Sequence, residues 1–150
     1  MRANGSSHTV WNCNYYIVFT PKYEKLRMYK EIKEDIGRII RNLLTKKGIK
    51  IIEAELCSNY IYMLIEIPPK YSVSHIIGYL KGKSSLLIFE RKENLRYAYK
   101  DRSFWCRGYY VDTSRRDESK IHLYVKNQLK EDYKINQMNV AKVYDVSEQK

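Results

Sequence analysis

The chain is short of three things, and each shortage excludes a class of protein. Cysteine is scarce: Cys13, Cys57 and Cys106 are odd in number, widely spaced and without a CxxC pair. That pattern excludes a disulfide framework and a thiolate zinc site, and leaves reduced thiols. Long apolar runs are missing too. None approaches the ~20 residues of a membrane span, and Met1 to His8 lacks the apolar core of a signal peptide. A soluble, cytoplasmic protein is the expectation. Repeats and linkers are also absent, so one domain is expected over residues 1–150, with a core at about 8–133 and a polar tail at 134–150.

The third deficit is acid. Seventeen Asp and Glu face 28 Lys and Arg, giving a formal net charge of +11 and a pI near 9.5. Such a balance at this size points to a polyanion, and nucleic acid is the commonest one. Fifteen tyrosines lie among the basic residues. Some can stack on the bases of a single strand, although tyrosine is equally at home in strands and cores.

What is present is strong periodicity. Val10 to Thr20 reads as a strand stopped by Pro21, which has no N–H to offer a ladder. Ile32, Ile36, Ile39, Ile40, Leu43 and Leu44 recur at helical spacing within Lys30–Lys47, and Gly48 follows as a stop. Ile49–Cys57 and Tyr60–Ile67 are two strands joined by Ser58-Asn59, with Pro68-Pro69 closing the second. Ser72 or Ser74 can cap the next helix, whose apolar face is Val73, Ile76, Ile77, Leu80, Leu87 and Ile88. Phe104–Thr113 reads as a fourth strand. Ser114-Arg115-Arg116-Asp117 has the form of a helix start, and a last helix is expected from about Glu118 to Tyr133. The order β-α-β-β-α-β-α predicts an α+β fold: a ferredoxin-like (RRM-like) antiparallel sheet with an added C-terminal helix.

Two constellations carry chemistry. Tyr60 and Tyr62 alternate along a strand, so their phenols share a face roughly 6.6 Å apart. Tyr124 and Gln128 are four residues apart on the last helix and share a face about 6 Å along its axis.

The wider context is more specific than either pair. The stretches Cys13-Asn14-Tyr15-Tyr16-Ile17-Val18-Phe19-Thr20-Pro21-Lys22-Tyr23, Tyr79-Leu80-Lys81-Gly82-Lys83-Ser84-Ser85, Phe104 to Thr113 and Tyr124-Val125-Lys126-Asn127-Gln128 occur in that order. Together they resemble the single-tyrosine HUH transposases of the smallest bacterial insertion sequences, the IS-two-hundred type, from about His8 to Asp132. The resemblance implies a homodimer that binds hairpin-forming single-stranded DNA at insertion-sequence ends. Strands are nicked and rejoined through a 5′-phosphotyrosine in DNA transposition, with Mg²⁺ or Mn²⁺ as cofactor. It implies Tyr124 as nucleophile and Gln128 as a metal ligand, and it places Lys81 and Lys83 on a DNA-facing helix. Arg115, Arg116 and Lys126 complete the DNA-binding candidates.

At the family's His-hydrophobe-His ligands this chain has Tyr60-Ile61-Tyr62, with Asn59 at a common Asp and Tyr16 at a frequent His. Phenols titrate near 10 and are poor ligands for these hard ions, so the site is expected to bind metal weakly or not at all. The Ser114–Asp117 segment also lacks the glycine that many members carry there, which predicts a stiffer connection to the tyrosine helix. Impaired strand transfer is the expectation. The alternative is a catalytically inactive DNA-binding protein: a decayed copy, a dominant-negative partner or a repurposed regulator. An RNA-binding module rests on fold analogy alone and ranks below both.

Overall fold

Segments with a two-residue apolar period become strands, and those with helical spacing become helices. The computed structural model describes residues 2–3, 10–11, 13–91 and 103–148. Most of the polar lead expected over residues 1–8 lies outside them. A short antiparallel pair, β1 (Arg2–Ala3) and β2 (Val10–Trp11), precedes β3 (Asn14–Phe19). A 3₁₀ turn (Tyr23–Lys25) leads into α1 (Leu26–Glu31) and α2 (Lys33–Lys46). Then come β4 (Lys50–Leu56), β5 (Ile61–Glu66), α3 (Val73–Arg91), β6 (Tyr110–Asp112) and α4 (Glu118–Glu148).

The main sheet has the order β4-β5-β3-β6, with every neighbour antiparallel. This is the α+β arrangement expected from the element order. β3 and β5 are central and covered on both faces, so alternation sorts their side chains between two cores. Ile17, Phe19, Ile61, Met63 and Ile65 face α2 and α3, while Val18, Tyr60 and Tyr62 pack with Ile121 and Val125 of α4. The sheet is thus a middle layer, with α2 and α3 on one side and α4 on the other.

Local signals set the ends. Gly48 (φ 69°) closes α2: its N–H bonds Thr45 O and the Ile49 N–H bonds Leu44 O, the paired pattern of a Schellman stop. Ser72 rather than Ser74 caps α3, accepting from the His75 N–H at 3.1 Å. Asp117 caps α4 through the Lys120 N–H at 3.2 Å. Ser114 does not cap it, because its N–H and hydroxyl both donate to Asp112 Oδ1.

Three expected boundaries move. The strand expected over Val10–Thr20 is broken, with its regular part confined to Asn14–Phe19. The strand expected over Phe104–Thr113 shrinks to Tyr110–Asp112. Opposite Trp105 stands Pro21, which cannot extend a ladder, and the pair forms only an isolated bridge. The Phe104 N–H goes instead to Ser85 Oγ at 3.0 Å, and Trp105 Nε1–H goes to Ser84 Oγ at 2.8 Å. The last helix does not end near Tyr133 but continues to Glu148, since no glycine or proline interrupts residues 118–148.

Candidate active site on helix α4

Helix α4 lays one face on the sheet. Ile121 and Val125 are buried, Tyr124 and Leu129 pack against the same cluster, and Gln128 is partly covered. The spacing of three and four residues puts them in one stripe. Beneath it lie Tyr16 and Val18 of β3, Tyr62 and Leu64 of β5, Tyr60, and Tyr110 of β6. The structure therefore brings the two expected constellations onto the same side of the sheet.

Tyr124 and Gln128 do more than share a face. Gln128 Nε2 donates to the Tyr124 hydroxyl at 2.6 Å and to Arg107 O at 2.6 Å. Both amide hydrogens are spent. Burial pushes the Tyr124 phenol above its ordinary pKa, the hydrogen bond from Gln128 pulls it down, and the neighbouring Cys106 adds a smaller upward push. The phenol is consequently neutral near pH 7, with one donor already directed at its oxygen. Gly108 (φ 80°) makes room for this pair: a Cβ there would lie 3.3 Å from Gln128 Nε2 and 3.7 Å from the Tyr124 hydroxyl.

Tyr60 and Tyr62 are 8% and 0% exposed. Burial, chiefly, pushes both phenols up to about 12, helped at Tyr60 by a hydrogen bond with Cys57 and at Tyr62 by one with Glu53. The Tyr62 hydroxyl donates to Glu53 Oε2 at 3.1 Å. The guanidinium of Arg116 lies over its ring, with Cζ 3.9 Å from the centroid. Arg116 is itself bound through Nη1 and Nη2 to Glu55 at 3.0 and 3.2 Å and pairs with Glu118. The Tyr60 ring packs edge-on against His122 at 6.3 Å.

This donor set does not fit a hard divalent ion. Such ions take carboxylate, carbonyl, water or imidazole donors. Here the donors are two buried neutral phenols, one already hydrogen-bonded to a carboxylate and stacked under a cation, and one glutamine amide. Among the described residues no group of three or more His, Cys, Asp or Glu is placed to hold a metal ion.

The basic candidates divide. Lys83 and Lys126 are exposed, and Arg115 is exposed with only a 3.8 Å contact to Asp117. Arg116 is tied to two carboxylates. Lys81, expected on a DNA-facing surface, instead turns inward: its ammonium donates to Cys106 O at 2.7 Å and to Gly108 O. Sequence reasoning also missed the Arg107 carbonyl as the anchor of Gln128. The glycine at 108 was its only local signal.

A four-stranded antiparallel sheet thus carries the tyrosine–glutamine helix across one face. Residues 9–128 match the family described as "Transposase IS200 like", and the chain belongs to that family. It is 50% identical over 134 residues to the "Transposase for insertion sequence element IS200" of Salmonella typhimurium, covering 89% of this chain and 88% of that protein. The "ISDra2 transposase TnpA" of Deinococcus radiodurans is 21% identical over 120 residues, 79% of this chain and 86% of that one. In fold, the chain is similar to the crystal structure of a putative transposase from Deinococcus radiodurans R1. The TM-score is 0.73 at 21% identity, over 84% of this chain and 98% of the other. Among the described residues no helix is long and apolar enough to cross a membrane.

Proposed function

We propose that this chain binds hairpin-forming single-stranded DNA at insertion-sequence ends as a homodimer, keeps Tyr124 as its nucleophile, and carries out strand transfer slowly. Membership of the transposase family and the net charge of +11 support the DNA partner. Lys83, Arg115 and Lys126 offer exposed cations to its phosphates.

In the nicking step Tyr124 Oη attacks the scissile phosphorus. The P–O3′ bond breaks, the phenol proton passes to water, and the departing 3′ oxygen takes one up. The products are a 5′-phosphotyrosine and a free 3′-OH, and attack by a 3′-OH on the phosphotyrosine rejoins a strand. Gln128 holds the phenol oxygen and favours its phenolate by donation.

The observation that carries the impairment is Tyr62, whose hydroxyl is bound to Glu53 and whose ring lies under Arg116. Neutral phenols at 60 and 62 supply no charge-neutralising ligand set beside the phosphate. The lost stabilisation is several kcal/mol, or roughly a hundredfold or more in rate.

Adduct formation on a hairpin-bearing single strand, with Mg²⁺ or Mn²⁺ added, tests this. Wild-type protein is expected to give about a hundredth or less of the adduct rate of Tyr60→His/Tyr62→His. Equal rates would reject the impairment. Hairpin binding with no adduct from either protein would favour the alternative, an inactive DNA-binding protein.

A further inference from the structure

Helix α3 carries Lys81, Ser84 and Ser85 on one face, three and four residues apart. All three reach the same segment. Ser85 takes the Phe104 N–H, Ser84 takes the Trp105 indole N–H, and Lys81 Nζ donates to the carbonyls of Cys106 and Gly108. The two serines fasten the buried aromatic part. Lys81 fastens the bend that follows.

That bend is where the nucleophile is held. Between the two carbonyls bound by Lys81 lies Arg107 O, which accepts Gln128 Nε2 at 2.6 Å, and the same nitrogen donates to the Tyr124 hydroxyl at 2.6 Å. Gln128 has three side-chain torsions and would otherwise sample many rotamers. Its anchor is a backbone carbonyl at a bend, with Gly108 at φ 80° so close that a Cβ would press on the amide. The ammonium sits half-buried beside the Phe19 ring, 5.7 Å from its centroid, and offers three donors to a place where two carbonyls converge. A neutral side chain of equal length would leave both carbonyls without that partner.

We propose that Lys81 is a positioning residue for Tyr124, fixing the Cys106–Gly108 bend through which Gln128 aims the phenol; this rests on Tyr124 as the nucleophile. Lys81 would then act from behind the site and not as a phosphate contact.

The test is Lys81→Met in protein labelled at tyrosine ¹³Cζ and glutamine side-chain ¹⁵N, with Tyr124 assigned by its loss in Tyr124→Phe. Lys81→Met is expected to shift the Tyr124 ¹³Cζ and Gln128 amide resonances, while Lys46→Met, on the exposed face of α2, moves neither. In the Tyr60→His/Tyr62→His parent, Lys81→Met should lower the adduct rate about tenfold or more and leave hairpin affinity within about twofold, as misaimed reactants do. A folded Lys81→Met with both resonances unmoved would overturn the proposal, and so would a loss confined to hairpin affinity. If Lys81→Met does not fold, the wild-type protein decides. Through-hydrogen-bond couplings from Lys81 Nζ to the carbonyl carbons of Cys106 and Gly108 support the clamp, and their absence overturns it. A parent that forms no adduct counts against Tyr124 as nucleophile, and the resonances then judge the clamp alone.

Discussion

Gln128 places one amide hydrogen on the Tyr124 hydroxyl and the other on Arg107 O, each at 2.6 Å. A residue one helical turn from Tyr124 is therefore tied to that phenol and to the loop before β6 at once. The phenol oxygen is an acceptor in this arrangement, which favours ionisation even as burial opposes it.

Removing that donor should raise the Tyr124 phenol further. Gln128→Leu keeps the stem but has no N–H to give, so the Tyr124 ¹³Cζ titration is expected to move to higher pH. A titration that stays in place or moves down would show that Gln128 does not donate to the phenol.

Arg116 joins β4 to the start of α4 through Glu55 and Glu118, and stacks on Tyr62. Arg116→Ala loses two partly exposed ion pairs and a cation–π contact, together about 1–3 kcal/mol. Urea unfolding should show that loss, and in a Tyr62→Leu background the cation–π share should disappear. Identical losses in both backgrounds would remove the stacking from the account.

Trp105 is 1% exposed, and its indole N–H has Ser84 Oγ as partner. Ser84→Ala strands a buried donor and should cost about 1–3 kcal/mol by denaturant unfolding. Pairing it with Trp105→Phe, which removes the donor, should cost less than the sum of the two single changes. Strict additivity would argue that the bond contributes nothing.

Stability should depend on alkaline pH in two opposite steps. Burial holds Lys25 and Lys81 down at about 8 against 10.5 when free. Between those values the unfolded chain binds more protons, so stability rises with pH, by at most about 1.4 kcal/mol per pH unit for each lysine. Above pH 10 the sign reverses. Unfolded tyrosines ionise near 10.0 while Tyr60 and Tyr62 keep their protons to about 12, so stability falls. The urea midpoint is expected to climb from pH 8, to flatten above about 9 as buried Cys106 keeps a proton that the unfolded thiol loses, and to drop above about 10. Lys25→Met should flatten the climb, and a midpoint falling steadily from pH 8 would refute the assignment.

Binding to a hairpin-bearing single strand should weaken steeply with salt, with a log–log slope of about −0.7 for each phosphate neutralised. Lys83→Ala, Lys126→Ala and Arg115→Ala should each reduce the slope by about that amount. Slopes equal to wild type would place the DNA on another face.

Much of this molecule was legible in the chain. The helical spacing from Ile32 to Leu44, the alternation in β5 and the glycine at 48 act within a few residues, so they survive without knowledge of the neighbours. Phe104-Trp105-Cys106 misled for the opposite reason. A run of aromatics reads as a strand, yet its backbone and indole donors are met by Ser84 and Ser85, about twenty residues upstream. The last helix outruns its expected end because its second half lacks a regular apolar face, although nothing in its composition breaks a helix.

The sequence by itself determined the order of the elements, the basic surface, and the placing of Tyr124 with Gln128 and of Tyr60 with Tyr62. These are consequences of periods of 3.6 and 2. Only the tertiary structure decided that Lys81 faces inward and that the Tyr62 hydroxyl goes to Glu53 under Arg116. It also decided that Gln128 is anchored on Arg107 O. Periodicity says which face a side chain occupies. Its partner there depends on how segments distant in sequence pack, and Lys81 meets carbonyls that lie 25 and 27 residues away.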